Sequence, residues 1–304
     1  MGTFNQKRVI ITGASSGIGA ALAKQLAGSG ATVFLVARRK NRLEAMARAH
    51  RGPIGAMHAV EGDVCAKPAS MNSIERLALE VNRLYGPAHL VVANAGFGVT
   101  GSLDSLTLAD FRRQFETNVF GVLRTAMAFL PQLKETRGTL VLVSSVAGHV
   151  APPGVSPYTM SKFAVRALAE SIRAELAPHG VKVVLVSPGF IDTEIHQVDN
   201  QGAIHEAAID GAPRWLMADA ATAARAIARG IRWGRAEVVV TWHGKAIVLL
   251  TRLAPWFIRL LSRFMASTPS PSTPTAPSQK ARPVPRKSAR KKTPRDRAPS
   301  RRRG

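Results

Sequence analysis

Short apolar runs alternate with amphipathic stretches along the chain up to about residue 241. Runs such as residues 90–93 and 181–186 are almost entirely apolar, as expected for parallel strands that helices cover on both faces. This pattern predicts strands at 7–12, 32–37, 56–61, 88–93, 138–144, 181–187 and 236–241, and helices at 17–29, 41–50, 70–85, 108–134, 156–177 and 219–232. Such alternation, with right-handed crossovers, gives an α/β fold whose doubly wound parallel sheet has about seven strands.

Three residues with side chains or backbone suited to binding come directly after predicted strands. They are Asn94, Ser145 and Pro188. Ligands of doubly wound sheets bind beyond the carboxyl ends of the strands. We therefore expect these residues to converge on one binding edge.

A glycine-rich turn joins the first predicted strand to the first predicted helix. Residues 12–19 read TGASSGIG, with the spacing Gly-x-x-x-Gly-x-Gly. Glycines let the backbone turn tightly and approach a pyrophosphate, and a helix N-terminus offers free N–H groups and a positive dipole end. In this context the turn indicates a dinucleotide site rather than an ordinary loop.

Tyr158 and Lys162 are four residues apart in a predicted helix, so their side chains share one face. The Lys162 ammonium would favour the ionised form of the Tyr158 phenol, whose unperturbed pKa is about 10. Tyr158 could then act as an acid or a base near neutral pH, while Ser145 hydrogen-bonds the same substrate oxygen. Most isolated Tyr-x-x-x-Lys pairs are solvated neighbours, so this motif depends on its company.

Taken together, these motifs resemble those of the short-chain dehydrogenase/reductase family. The resemblance covers roughly residues 5–240 and keeps the family's order and spacing. It rests on residues 12–19, Asp63-Val64, Asn94-Ala95-Gly96, Asn118, Ser145, Tyr158 with Lys162, and Pro188-Gly189 with Thr193. It implies a Rossmann-like fold and hydride transfer between a nicotinamide cofactor and a carbonyl or alcohol carbon. It does not specify the substrate.

The resemblance also implies a catalytic set of four residues. Tyr158 would exchange the proton, Ser145 would hold the substrate oxygen, and Lys162 would assist Tyr158 and bind the nicotinamide ribose. Asn118 would hold a water that links Lys162 to solvent. The alternative for Asn118 is a satisfied polar residue within a helix.

The cofactor would contact a larger set of residues. Asp63 is expected at the adenine, and the backbone of Pro188 and Gly189 with the Thr193 hydroxyl at the nicotinamide amide; Thr193 could instead cap a helix. The residues that the resemblance implies for the cofactor are Gly13, Ser15, Ser16, Gly17, Ile18, Gly19, Arg38, Arg39, Asp63, Val64, Asn94, Ala95, Gly96, Tyr158, Lys162, Pro188, Gly189 and Thr193.

The end of the second predicted strand favours NADP over NAD. An acidic residue there would bind the ribose 2′-hydroxyl of NAD, but the strand ends in Ala37-Arg38-Arg39. Guanidinium groups pair well with a phosphate, and Ser15 could add a contact. The alternative is that the two arginines only begin a basic surface helix.

Composition agrees with one well-packed domain in a reducing compartment. The chain has 304 residues, 46% of them hydrophobic, which suffices for a large core. Its single cysteine, Cys65, excludes an intramolecular disulfide framework. No metal-ligand cluster is evident among the eight histidines, and the N-terminus lacks the apolar core of a signal peptide. We expect no metal and a cytoplasmic location.

Residues 190–215 match the segment that usually covers the substrate, and they carry apolar surface without a cationic cluster. His196 and His205 could bind substrate, although surface histidines are the commoner case. Residues 244–265 are apolar with three arginines and Pro255, which argues against a bilayer-spanning helix. At helical spacing, Arg252, Trp256, Arg259 and Arg263 share one side. The segment therefore fits either a helix on an anionic membrane surface or one packed against protein.

We divide the chain into a catalytic domain (1–242), an amphipathic extension (243–266) and a disordered basic tail (267–304). The tail is rich in Pro and Ser and holds 12 of the 42 Lys and Arg residues against one acidic residue, a net charge of +11. It could attract anionic lipid, but it lacks aromatic residues for base stacking, which argues against nucleic acid. A protein that senses NADP(H) and acts through this tail is the alternative to an enzyme.

Oligomerisation is a further expectation from the resemblance. Family members usually assemble through the two long helices that match residues 108–134 and 156–177. We therefore expect a homo-oligomer that converts a lipophilic ketone or aldehyde.

Overall fold

The computed structural model describes residues 4–50, 55–194, 216–258 and 260 of the chain. Its strands form one parallel sheet in the order β3-β2-β1-β4-β5-β6-β7. The strands are β1 Arg8–Thr12, β2 Thr32–Ala37, β3 Ala56–Glu61, β4 Leu90–Ala93, β5 Thr139–Val143, β6 Lys182–Ser187 and β7 Glu237–Val239. The predicted α/β fold with a doubly wound sheet is confirmed.

Helices cover both faces of this sheet. They are α1 Gly17–Ala27, α2 Lys40–Ala49, α3 Ile74–Tyr85, α4 Leu108–Phe115, α5 Gly121–Thr136, α6 Ser156–Leu176, α7 Ala220–Arg232 and α8 Trp242–Leu253. Helices α1, α2 and α7 pack on one face through residues such as Leu22, Leu43 and Ile227. Helices α3, α5 and α6 pack on the other through Leu77, Phe129 and Val165. This two-sided cover explains why the central strands are apolar throughout.

The sheet order reverses direction between β1 and β4, which are neighbours although two strands separate them in sequence. Chain segments leaving these two strands diverge to opposite faces, which opens a crevice beyond their carboxyl ends. The glycine-rich turn follows β1, and Asn94 follows β4. The fold thus places both motifs at the one position where this sheet offers a ligand crevice.

The predicted helix at 108–134 is not continuous in the structure. A π-helical turn, Glu116–Phe120, separates α4 from α5, and the Gly121 N–H donates to the Glu116 carbonyl five residues earlier. A π turn adds one residue to a helical turn and is frequent at functional sites. Sequence periodicity could not reveal it, because the apolar pattern continues on both sides.

The C-terminal extension also differs from the single helix expected at 244–265. Helix α8 ends at Leu253, and Ala254 adopts φ −136° and ψ 64°. The cause is Pro255, whose ring disfavours helical geometry for the residue before it. A further helical turn begins at Pro255. Arg263 and Phe264 lie outside the described residues, as does Arg259.

The described residues all belong to one compact unit, and the whole of the tail, 267–304, lies outside them. The proposed boundaries after residues 242 and 266 therefore stay predictions. In the part of the chain that the structure describes, no helix is both long enough and apolar enough to cross a bilayer.

Candidate active site

The glycine-rich turn after β1 forms a cradle that only glycine can build. Gly13 and Gly17 adopt the left-handed conformation, with φ of +66° and +55°. A Cβ on Gly19 would lie 2.5 Å from the Gly13 carbonyl oxygen and 2.6 Å from the Asn94 Nδ2 atom. Glycine at this position therefore lets helix α1 approach the strand ends closely.

The start of helix α1 offers hydrogen-bond donors to a ligand. The N-cap residue, Ser16, is extended and makes no side-chain cap hydrogen bond, and the first turn carries no acidic residue. The first N–H groups of a helix have no partner within it. Together with the glycine cradle, these donors fit the pyrophosphate of a dinucleotide.

Thr12 ties the glycine-rich turn to the end of β4. Its buried Oγ1 atom accepts hydrogen bonds from the Asn94 N–H at 3.0 Å and the Ala95 N–H at 3.2 Å. The Asn94 Nδ2 donates in return to the Thr12 carbonyl at 2.9 Å. Asn94 and Ala95 therefore form the floor of the crevice, with Gly96 exposed beside them.

Tyr158 and Lys162 lie in the first turns of α6, and the Lys162 Nζ atom is 5.5 Å from the centre of the Tyr158 ring. The ammonium is almost fully buried and donates to the Val143 carbonyl at 3.1 Å. Burial disfavours the charged form and lowers the pKa of Lys162 to about 8. A lysine with this pKa can exchange its proton close to neutral pH.

Ser145 follows β5 and begins a tight turn beside these residues. Its Oγ atom accepts from the Ala147 N–H at 3.1 Å and lies 3.4 Å from the Pro188 carbonyl oxygen. The neighbouring Ser144 hydroxyl donates to the Lys162 carbonyl at 2.8 Å. The serine turn is therefore bonded to both α6 and the segment after β6.

Asn118 occupies the centre of the π-helical turn and is fully buried. Its side chain accepts from the Phe97 N–H at 3.1 Å and donates to the Phe97 carbonyl and the Ser161 hydroxyl. A Cβ built on Gly96 would lie 3.0 Å from the Asn118 Oδ1 and 3.6 Å from the Lys162 Nζ. Asn118 therefore lies close to the lysine, and its own polar atoms are satisfied.

The segment after β6 closes the side of the crevice. The Pro188 carbonyl accepts from the Val146 N–H at 2.8 Å. A Cβ on Gly189 would lie 2.2 Å from the Thr241 Oγ1, so no larger residue fits there. The Thr193 methyl group would lie 3.1 Å from a Cβ on Gly17, which places Thr193 against the glycine cradle.

The two arginines after β2 differ in orientation. Arg38 is exposed, whereas Arg39 reaches back over the glycine-rich turn. The Arg39 guanidinium donates to the Ser15 hydroxyl at 2.9 Å and to the Ser16 hydroxyl at 2.8 Å. Arg39, and not Arg38, is therefore the arginine that contacts the two serines of the cradle.

Asp63 and Val64 lie at the β3 end of the crevice. The Asp63 carboxylate accepts from the Cys65 N–H at 2.9 Å, which stabilises the turn. The Val64 side chain is buried against α5, where a Cβ on Gly121 would come within 2.7 Å of it. The Ile18 side chain packs partly buried against the core.

A polar network centred on Glu237 lies next to the site, and no motif in the sequence indicates it. The Glu237 carboxylate accepts from the His149 Nε2 at 2.8 Å, from the Ser187 hydroxyl at 3.0 Å and from the Arg252 Nη2 at 2.8 Å. The hydrogen bond from His149 is the main cause that lowers the pKa of Glu237 to about 2. The network connects α8 and β7 to the two segments that carry Ser145 and Pro188.

Sequence reasoning also missed Thr12, Glu194 and Arg42 as residues of this edge. Thr12 lies within the glycine-rich motif but carries no signal of its own, and neither the part-buried Glu194 nor the exposed Arg42 carries a sequence signal of its partner. His196 and His205 lie outside the described residues. Among the described residues, no group of three His, Cys, Asp or Glu side chains could hold a metal ion.

A parallel sheet with a dinucleotide cradle at its switch point, beside a serine, a tyrosine and a buried lysine, defines an α/β oxidoreductase. Residues 7–203 match the short chain dehydrogenase family. The chain belongs to this family, and as a member it is an NAD(P)-dependent oxidoreductase.

Individual relatives agree with this assignment. An "uncharacterized oxidoreductase" of Myxococcus xanthus is 34% identical over 84% of this chain and 94% of its own. An alcohol dehydrogenase from Thermococcus sibiricus, solved with 5-hydroxy-NADP, is 29% identical with a TM-score of 0.65, over 78% of this chain and 97% of its own. A short-chain dehydrogenase/reductase from Burkholderia phymatum, solved with NAD, is 26% identical with a TM-score of 0.72, over 91% and 100%.

Proposed function

We propose that this protein interconverts a ketone or aldehyde and the corresponding alcohol with NADP(H). The observation that carries the proposal is the group of Ser145, Tyr158 and buried Lys162 beside the glycine cradle. When bound, the nicotinamide supplies or accepts the hydride at the substrate carbon. The protein's own part is to bind the cofactor, position the substrate oxygen and move the proton.

The proposed proton chemistry is centred on the Tyr158 hydroxyl. Tyr158 donates its proton to the substrate oxygen in reduction and accepts it in oxidation, while the Ser145 hydroxyl holds that oxygen. Lys162 lies near the Tyr158 ring, and its lowered pKa of about 8 lets it take part in proton exchange near neutral pH. Asn118, buried close to Lys162, is proposed to fix the path by which protons reach solvent.

The choice of NADP rests on the end of β2. Ala37 provides no carboxylate for a ribose 2′-hydroxyl, and the Arg39 guanidinium donates to the Ser15 and Ser16 hydroxyls of the glycine-rich turn. A guanidinium and two hydroxyls form a suitable site for the 2′-phosphate. The Thermococcus sibiricus relative was solved with an NADP derivative and the Burkholderia phymatum relative with NAD, so the proposal depends on the residues of this chain.

The first experiment is a screen of ketones and aldehydes for NADPH oxidation by the full chain. Tyr158→Phe should abolish turnover and leave NADPH binding, measured by fluorescence titration, within about two-fold of the unsubstituted protein. Tyr85→Phe is the matched control, because Tyr85 is the other tyrosine and lies on α3 away from the site. Full turnover by Tyr158→Phe would overturn the proposed mechanism.

The same screen separates the enzyme from a sensor. NADPH binding without turnover of any carbonyl, together with DNA binding that survives 200 mM salt and requires the basic tail, would favour the regulatory alternative. Turnover that Tyr158→Phe removes would favour the enzyme.

A lipophilic substrate is supported by apolar surface next to the site. The Phe190 ring, one residue after Gly189, lies 5.8 Å from the His243 ring, and His243 lies 5.7 Å from the exposed ring of Trp242. Beyond them, Leu249 and Leu253 of α8 are 58% and 75% exposed. An apolar surface thus extends from the nicotinamide side of the crevice along α8.

We propose that this face of α8 binds an anionic membrane surface. Trp256, Phe257 and Leu260 extend the exposed apolar face beyond Pro255. Exposed Lys245 on α8 and the basic tail, with its net charge of +11, supply the complementary charge. Apolar burial and attraction to anionic lipid act together in peripheral binding.

Co-sedimentation with phosphatidylglycerol-containing vesicles at low salt tests this surface. Leu253→Glu should reduce binding at least about tenfold, since a buried leucine contributes roughly 1.5–3 kcal/mol. Leu79→Glu is the control, because Leu79 on α3 is 73% exposed and remote from α8. Failure of the full chain to bind such vesicles would reject the membrane role. Loss of self-association in Leu253→Glu would instead identify the face as a contact between copies of the chain.

We also propose a homo-oligomer assembled through the helical segments 108–134, which comprises α4 and most of α5, and 156–177, which contains α6. Both segments expose large apolar side chains, including Met127 at 65% and Met160 at 50%. Light scattering at micromolar concentration should give at least twice the mass of one chain. A monomer under these conditions would contradict the proposal.

A further inference from the structure

Positive charge is concentrated where helix α2 begins. Arg39 is its N-cap residue, and Lys40 and Arg42 occupy the first turn, which carries no acidic residue. The positive end of the helix dipole adds to these charges. Positive charge at the start of a helix favours a nearby anion, but the first turn of α2 contains no acidic residue that could supply one.

Glu194 supplies that anion from a distant part of the chain. Its Oε2 atom accepts from the Arg39 Nη1 at 2.9 Å, and its Oε1 atom accepts from the Arg42 Nη1. Burial raises the pKa of Glu194, but the hydrogen bonds from the two arginines outweigh burial and hold the pKa below its usual value. The carboxylate thus bridges both guanidinium groups in its charged form.

The bridge uses the donors that a phosphate would need. Arg39 donates through Nε and Nη2 to the Ser15 and Ser16 hydroxyls, and through Nη1 to Glu194. Arg42 gives its Nη1 to the same carboxylate. Carboxylate and phosphate oxygens compete for the same guanidinium geometry.

We propose that Glu194 is a cofactor-specificity residue that acts as an internal competitor for the 2′-phosphate of NADP(H). The carboxylate occupies Arg39 and Arg42 when no 2′-phosphate is present, and the phosphate must displace it from at least one of them. NADH carries no 2′-phosphate and leaves the bridge intact. Glu194 therefore limits how strongly the protein prefers NADP(H) over NAD(H), and this inference rests on the proposed use of NADP(H).

The test is titration of the full chain with NADPH and with NADH, followed by nucleotide or protein fluorescence. Glu194→Gln keeps the size of the side chain and removes its charge. We expect it to tighten NADPH binding about three- to ten-fold, because part-exposed ion pairs are individually weak, and to change NADH binding by less than about two-fold. Glu194→Asp keeps the negative charge, so the NADPH affinity of this variant should stay close to that of the unsubstituted protein.

Two controls isolate the effect. Glu44→Gln removes one charge from α2 itself, where Glu44 pairs with Arg48 rather than with the proposed site, and should leave both affinities within about two-fold. Titration with 2′-AMP and 5′-AMP isolates the phosphate, and only 2′-AMP binding should tighten in Glu194→Gln.

The outcomes distinguish this inference from the proposed function. If the unsubstituted protein binds NADPH no better than NADH, the NADP proposal fails. If it prefers NADPH but Glu194→Gln leaves NADPH affinity unchanged or weakens it, Glu194 orients Arg39 and does not compete, and the inference is overturned. NADH binding within about two-fold and a single cooperative unfolding transition in Glu194→Gln establish that the variant is folded.

Discussion

Glu237→Gln is the substitution that best tests how much the hydrogen-bond network around Glu237 stabilises the protein. Gln has the size of Glu but lacks its charge, so the variant keeps the packing around β7. It weakens the hydrogen bonds from His149, Ser187 and Arg252 to the carboxylate. His149, whose side chain is 1% exposed, would lose its charged partner.

The expected cost follows from the pKa of Glu237. A decrease from 4.5 to about 2 corresponds to about 3 kcal/mol that favours the ionised form in the folded state. The Glu237 side chain is 21% exposed, and the Arg252 side chain that pairs with it is 57% exposed, so solvent screens part of this value. We therefore expect Glu237→Gln to lose about 2 kcal/mol of unfolding free energy at pH 7, or roughly 4–8 °C in melting temperature.

The loss of stability in Glu237→Gln should depend on pH, in the direction that the lowered pKa of Glu237 sets. Because the folded-state pKa is the lower one, the ionised carboxylate contributes its full stability above pH 4.5, and the contribution is lost as the pH falls from 4.5 towards about 2. The difference between the two proteins should therefore be largest at pH 7 and roughly halved near pH 3. Urea denaturation at several pH values measures it.

A matched control and a refuting result are both available. Glu170→Gln removes a carboxylate that pairs with Arg166 on the surface of α6, and should cost less than about 0.5 kcal/mol. A melting temperature of Glu237→Gln within about 1 °C of the unsubstituted protein at pH 7 would refute the reasoning. So would a difference that stays constant from pH 7 to pH 3.

Three further predictions concern the crevice itself. Lys162→Met should abolish turnover yet raise the unfolding free energy by about 2 kcal/mol at pH 7, because burial penalises the charged lysine below its pKa of about 8. Denaturation curves should show this gain vanish as the pH rises towards 10.5. Gly19→Ala should weaken NADPH binding at least about tenfold in fluorescence titrations, since its Cβ would overlap the Gly13 carbonyl. Thr12→Val should cost about 2 kcal/mol in urea denaturation, because the Asn94 and Ala95 N–H groups lose their shared acceptor.

The sheet and the binding edge were predictable because their signals are local. Each strand is a continuous apolar run, and strands 32–37 and 56–61 were placed at their observed bounds. The glycine-rich turn combines three residue types in one short segment, so its position at the switch point follows from the fold class. The predictions that the structure confirms are those that depend on residues close together in the sequence.

The unpredicted part depends on contacts between distant residues. Glu194 and Arg39 are 155 positions apart, and nothing in either segment identifies the other. That Arg39 and not Arg38 turns towards the cradle depends on the backbone at one strand–helix junction. The network of His149 and Glu237 likewise forms only after β5, β7 and α8 have been assembled.

The π-helical turn Glu116–Phe120 has a consequence for the length of the chain at this point. The turn holds one residue more than a regular α-helical turn, so the helices on either side of it keep their own winding. Removing one residue here would close the turn to regular α-helical hydrogen bonds and leave the buried side of α5, with Val122, Phe129 and Leu133, facing the sheet. Asn118 lies within the widened turn and would be displaced from its partners at Phe97 and Ser161. A one-residue deletion in this turn should thus disturb the site far more than the fold.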